Sequence, residues 1–212
     1  LGAAVYLVAG LPLLLLASPR MQVRIASILA LIVLAYPLLR ATDTFPVRSL
    51  LDVSARFSQD RANSLAFRFD NETMLVKKAV ERVLFGWGGF ARGRIYAPWG
   101  QDISVTDGQW IIALGDTGMV GFIGLFGMLL APVYVAWRHL RQVAAGPERI
   151  LVAAVALITA LHVVDLLPNG LYSALPLFFA GALLGVTRGL AHAAVTEPAF
   201  RAYPAFARGV RR

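Results

Sequence analysis

Apolar residues gather into long blocks along the chain, and the charges fall between the blocks. Leu1 to Ser18 is almost wholly apolar and closes at Pro19-Arg20, and Ile25 to Leu39 lies between Arg24 and Arg40. Three more blocks run from Gly118 to Trp137, from Ile150 to Leu167 and from Leu171 to Val186. A helix rises about 1.5 Å per residue and the hydrocarbon core of a bilayer is about 30 Å thick, so each block predicts a membrane helix. The second block reaches only roughly 22 Å at that rise, which obliges its flanking arginines to snorkel. The predicted fold class is all-α, a polytopic membrane helix bundle with five spans and a long, partly helical external loop. Its divisions are two spans in 1–40, the loop in 41–109, three spans in 110–187 and a basic tail in 188–212.

A connector as long as 41–109 is uncommon without a function, and its own pattern predicts helices. Pro46 precedes Val47, Leu50, Leu51 and Phe57 at helical spacing, while Arg48, Asp52 and Arg56 take the opposite face. That is the plan of an amphipathic helix lying on a membrane surface. A second helix is expected to start at Asp70 or Asn71 as its cap. It would carry Val76, Ala79, Val80, Val83 and Leu84 as a stripe and stop at Gly86-Trp87-Gly88-Gly89.

Composition excludes the water-soluble alternative. Hydrophobic residues make up 58% and charged residues 15% of the 212, against about 45–50% and 25% in an ordinary soluble domain. With no cysteine there is neither a disulfide framework nor a thiolate metal site, and His139, His162 and His192 are scattered rather than paired. Neither metal nor cofactor is expected. The first residue is Leu and no basic stretch precedes the first block, so it lacks the plan of a signal peptide. The chain is read as the C-terminal part of a longer protein, with further spans of that protein as its partners.

Charge sets the expected orientation. The first and third connections and the tail hold ten arginines (Arg20, Arg24, Arg138, Arg141, Arg149, Arg188, Arg201, Arg208, Arg211 and Arg212) against Glu148 and Glu197. Basic connections stay cytoplasmic, so the C-terminus is cytoplasmic and the loop faces the periplasm of an inner membrane. The net charge of +8 then reflects topology and contact with anionic membrane lipids. No basic stripe interleaved with aromatics points to nucleic acid.

Within the loop, Arg61, Arg68, Arg92 and Arg94 are the basic residues that the helix faces leave unexplained. A guanidinium fork suits phosphate oxygens, and glycines at 86–89 permit close backbone approach to an anion. A lipid-borne pyrophosphate would fit both. Equally, these arginines could pair with Asp60, Asp70 and Glu72, and the glycines could form a turn after a helix. Asp107 stands at the mouth of the third span, placed to accept a proton or to cap the helix, with Trp110 expected at the interface. Asp165 and His162, near the outer end of the fourth span, are further candidates.

Three stretches, Arg68-Phe69-Asp70-Asn71-Glu72, Leu84-Phe85-Gly86-Trp87-Gly88 and Asp107-Gly108-Gln109-Trp110 through Gly118, resemble the loop signature of the O-antigen ligase family. That pattern has an arginine opening a helix that ends in Pro-Leu-Phe-Gly-x-Gly, then a His-Asn pair and Glu-x-Gly. Val83 replaces the proline here, and Asp107-Gly108 replaces His-Asn. The resemblance implies a metal-independent, inverting glycosyltransferase that takes a glycan from undecaprenyl pyrophosphate. The acceptor would be a hydroxyl, in the ligase case on lipid A-core. Arg68 matches the motif as a diphosphate ligand; Arg92 and Arg94 join it by position, and Asp107 stands in the place of the base. A polymerase of O-antigen or exopolysaccharide shares this topology, and a transport or scaffold subunit is the non-enzymatic alternative.

Overall fold

The computed structural model describes residues 2–140, 146–170 and 173–201. Among the described residues seven helices follow one another: α1 (Gly2–Leu16), α2 (Pro19–Ala41), α3 (Val47–Phe57), α4 (Gln59–Val80), α5 (Gln109–His139), α6 (Pro147–Asp165) and α7 (Ala174–Arg201). Among the described residues no strand forms; one isolated bridge joins Tyr96 to Asp102. The all-helical expectation holds. Three helices, α2, α5 and α6, are long and apolar enough to cross a membrane, and α7 contributes a shorter apolar stretch, Ala174–Leu190. Large apolar side chains on them, such as Leu31 and Ile123, face outward, as lipid-facing residues do. These features mark a membrane protein. Arg141, Arg208, Arg211, Arg212 and the predicted start of the fifth span at Leu171 lie outside the described residues.

Two expected boundaries change. The second block does not stop at Ile25 and Leu39: α2 has 23 residues, about 35 Å at the helical rise, so Arg24 and Arg40 lie within the helix. The third span gains a helical stretch before it: α5 starts at Gln109, and Gly118, with φ 67° and ψ −165°, is a non-helical kink that separates this first stretch from the helix over the expected block.

The chain divides into two compact units. One comprises Leu1–Ile28, Leu130–Leu161 and Leu175–Arg212. In it the buried face of α6 is made of Val152, Ala153, Ala156, Leu157 and Ala160, and the small alanines permit close approach of neighbouring helices. The carbonyls at the end of α1 are satisfied by the Gln22 amide, which donates to the oxygens of Leu13, Leu14 and Ala17 at 3.2, 3.0 and 3.0 Å.

The other unit comprises Leu29–Leu129 and His162–Ala174. Helix α3 begins directly after Pro46, has no buried residue and packs beside α4. The expected cap at Asp70 or Asn71 is not a helix start. Helix α4 begins at Gln59 after Ser58, so both residues lie in mid-helix, and Val83 and Leu84 lie beyond its end. The reason is tertiary: Asn71 is buried, donates to the Phe67 carbonyl at 2.8 Å and accepts from the Val105 N–H at 2.9 Å. Its amide ties the loop to α4 instead of opening a helix.

Beneath α4 lies a polar core. Glu72 Oε2 accepts from Tyr36 Oη at 3.0 Å and from Arg40 Nε at 3.1 Å, and Trp110 Nε1 approaches Glu72 Oε1 at 3.4 Å. Arg40 also donates to the Phe69 carbonyl at 2.9 Å and to Thr73 Oγ1 at 3.1 Å. Trp110, expected at the membrane interface, is instead fully buried, edge-on to Tyr36. Its indole N–H finds a partner in this network, which removes the reason for an interfacial position.

Candidate functional site

The segment from Glu81 to Gly108 has few regular elements, and it is held in place by backbone docking. Gly86 (φ 68°) and Gly88 (φ 78°) adopt left-handed conformations open chiefly to glycine. They let the turn lie directly on the kinked stretch of α5: Trp87 N–H donates to the Gly115 carbonyl and Gly88 N–H to the Asp116 carbonyl, each at 2.8 Å. Met119 N–H and Val120 N–H return bonds to Val83 and Leu84 at 2.7 and 3.2 Å. A Cβ on Gly86 would stand 2.6 Å from the Asp116 carbonyl carbon. The glycines thus serve backbone-to-backbone contact, and two of the N–H groups that an anion would need are already engaged. Trp87 seals the end of α4, donating to the Lys78 carbonyl at 2.8 Å with Lys78 and Arg82 over its ring.

Around this dock the predicted residues separate into groups. Arg68, on α4, and Asp107, just before α5, come together: Arg68 Nε lies 3.3 Å from Asp107 Oδ2, with side chains 44% and 35% exposed. Arg94 donates to Asp102 Oδ2 at 2.7 Å and to Thr106 Oγ1 at 3.3 Å, so it is tied to the residue preceding Asp107. Asp102 also accepts from the Ser104 N–H and hydroxyl. The Arg94 hydrogen bond, then the Ser104 N–H, hold its carboxyl below the usual range. Arg92 folds back to the glycine turn, Nε donating to the Gly89 carbonyl at 3.1 Å. Arg61 is exposed on α4, seven residues before Arg68.

Asp165 closes α6 and accepts from the Asn169 amide at 2.8 Å. The turn that follows receives the Gln109 N–H at the carbonyls of Leu166 and Asn169, and a Cβ on Gly170 would lie 3.1 Å from the Asp107 carbonyl. Asp165 therefore shapes the backbone beside Asp107. His162 is half-buried on α6, less than one turn before Asp165. None of the four exposed-loop arginines pairs with Asp60, Asp70 or Glu72; the partner of Glu72 is Arg40.

Sequence reasoning did not single out Asp116 as a site residue. It lines a cleft of about 140 Å³ with Arg94, Thr106, Gly93 and Gly115, over an apolar wall that includes Leu75 and Ile111. The readable signal was Gly115-Asp116-Thr117-Gly118: a carboxylate between two glycines inside an apolar helix, where the helix turns out to kink. Two backbone outliers stand beside the cleft, Phe90 (φ 62°) and Ala91 (φ 59°). Successive non-glycine residues in the left-handed region carry strain that the surrounding structure must hold, and Ala91 lines the cleft.

The unit thus presents an exposed Arg–Asp pair, a second arginine bonded to the residue before that aspartate and a cleft with a further carboxylate. An exposed pair of this kind contributes about 0–1 kcal/mol to stability, so an anion can displace the carboxylate from Arg68 at little cost. No family model, curated protein or solved structure matches the chain.

Proposed function

We propose that the chain is the loop-bearing part of an inner-membrane glycosyltransferase of the O-antigen ligase type. It would move a glycan from undecaprenyl pyrophosphate to a hydroxyl of an acceptor such as lipid A-core on the periplasmic face. In this reading α1 and the apolar part of α7 complete five spans and the C-terminus is cytoplasmic. The carrying observation is the Arg68–Asp107 pair at 3.3 Å: the motif arginine and the carboxylate in the place of the family's base, 39 positions apart in sequence, share one exposed spot. The arginines near the glycine turn and the apolar helices, suited to a polyprenyl tail, support the same reading.

The donor diphosphate would take the Arg68 guanidinium, with Arg94 or Arg92 as a second cation, and release Asp107. The acceptor oxygen then attacks the anomeric carbon as the bond from that carbon to the phosphate oxygen breaks. The hydroxyl proton passes to Asp107, and the leaving undecaprenyl pyrophosphate keeps the bonding electron pair, its charge stabilised by the arginines. Anomeric configuration inverts because attack and departure occur on opposite faces.

The test is glycan transfer in membranes carrying the full-length protein as Asp107→Asn or Arg68→Ala. Loss of a general base or of a charge-stabilising donor lowers the rate by on the order of 10²–10³. Transfer at the parental rate with normal protein levels refutes the assigned roles.

A further inference from the structure

A second cavity, far from this chemistry in sequence, has no role in the reading above. It measures about 470 Å³ and is lined by Arg20, Val23, Arg24, Trp137, Leu140 and Arg149. All six belong to the unit that contains Leu1–Ile28 and Leu130–Leu161. They come from the start of α2, the end of α5 with Leu140 just after it, and the start of α6; among the described residues these are the three helices long and apolar enough to cross a membrane. The cavity therefore opens where spans end.

Its chemistry is one-sided. Among the described residues, three guanidinium groups line it and no acidic side chain does; Glu148, next to Arg149 in sequence, is not part of the lining. None of the ion pairs among the described residues involves Arg20, Arg24 or Arg149. Like charges around one cavity repel, and an anion between them relieves that repulsion. Several guanidinium forks converging on one space suit an oxyanion with several acceptor oxygens, a phosphate above all.

The rest of the cavity says which phosphate. Val23 and Leu140 give it a buried apolar floor, and Trp137 stands half-exposed at its edge, the position an indole takes between headgroup and acyl layers. The volume holds roughly fifteen waters at about 30 Å³ each, more than a single inorganic ion fills. Basic pockets between membrane helices at the cytoplasmic side are settings for anionic headgroups. We propose that Arg20, Arg24 and Arg149 bind the phosphate of an anionic phospholipid headgroup, its glycerol against Val23, Leu140 and Trp137. This site is independent of any glycosyl transfer.

The test uses the whole chain in phosphatidylcholine vesicles containing a small fraction of pyrene-labelled phosphatidylglycerol, read by energy transfer from tryptophan to pyrene. Pyrene-labelled phosphatidylcholine is the neutral comparison. A basic residue at an anionic surface contributes about 1 kcal/mol, a factor of about five. Arg24→Gln should weaken the phosphatidylglycerol preference about fivefold, and the triple change Arg20→Gln, Arg24→Gln, Arg149→Gln by on the order of a hundredfold. Arg188→Gln, which removes an exposed arginine outside the cavity, should leave it within twofold. The triple change to lysine should keep most of the preference, which separates lost charge from lost fold. Equal effects of Arg24→Gln and Arg188→Gln would overturn the site in favour of a diffuse surface potential. In a second arm inorganic phosphate is added to the chain in neutral detergent. Stabilisation by millimolar phosphate that the triple change abolishes, without any preference between the labelled lipids, would overturn the lipid source.

Discussion

Replacing either partner of the Arg40–Glu72 pair should be among the most damaging single changes in the chain, and the two should not be equivalent. Their side chains are 3% and 11% exposed at a separation of 3.1 Å. Removing one partner of a buried pair costs about 3–5 kcal/mol because the other charge is left uncompensated. In Glu72→Met the stranded group is a guanidinium, which does not release its proton in a protein, so the loss should lie near the upper end, about 5 kcal/mol. In Arg40→Met the stranded group is a carboxyl that can take up a proton. Burial already raises the pKa of Glu72, opposed by its bonds to Tyr36, Arg40 and Trp110, and loss of Arg40 raises it further. A carboxyl whose folded value is raised contributes stability below its ordinary 4.5, and that contribution is lost as pH rises through the folded value. Arg40→Met should therefore be less harmful, about 3 kcal/mol at neutral pH, and should recover on acidification from neutral pH toward 5. The double change strands no charge, so it should lose at least about 2 kcal/mol less than the sum of the singles. Equilibrium unfolding in mixed micelles, followed by tryptophan fluorescence, measures all four proteins. Additive losses, or single losses below about 1 kcal/mol, would refute the view that this pair is a desolvated, coupled unit.

Other outcomes follow from single contacts. Gly118→Ala places a Cβ on the Leu84 carbonyl at a φ of 67°, and should cost about 2–4 kcal/mol. Gly124→Ala, with nothing within 4 Å of its Cβ, should be neutral or stabilising by up to about 1 kcal/mol in the same unfolding assay. Asp102, its carboxyl lowered by Arg94 and Ser104, contributes stability above its ordinary 3.8 that is lost as pH falls through the lowered value. Asp102→Asn should flatten that acid limb in proteolysis of the loop between α4 and α5, whereas an unchanged limb would deny the bond its role. Trp87→Phe leaves the Lys78 carbonyl without its donor and should cost about 1 kcal/mol, read as faster proteolysis at the end of α4.

Much of the helical framework was legible because its signals are local. An uninterrupted apolar block needs no distant partner to be a helix, and the alternation of Val47, Leu50 and Leu51 with Arg48, Asp52 and Arg56 was enough to place α3. The loop was legible only in part. Arg68 and Asp107 stood out through a motif resemblance, yet that they meet at 3.3 Å is a matter of how α4 lies beside the start of α5. Asn71 looked like a helix cap because asparagine favours that position; its true partner, Val105, is 34 residues away. Trp110 looked interfacial for a similar reason, since nothing near it in sequence reveals Tyr36 and Glu72.

The sequence by itself determined that this is a helical membrane protein with a long charged segment between apolar helices, because hydrophobicity and helical period are written residue by residue. The tertiary structure decided which charges are buried, which are paired and which face a cavity. Arg40 was a span boundary in the sequence and is a buried partner of Glu72 in the fold. Arg20, Arg24 and Arg149 were topology signals and together line one cavity. A charge's role depends on the dielectric around it and on the groups within a few ångströms of it, and those neighbours come from segments far apart along the chain.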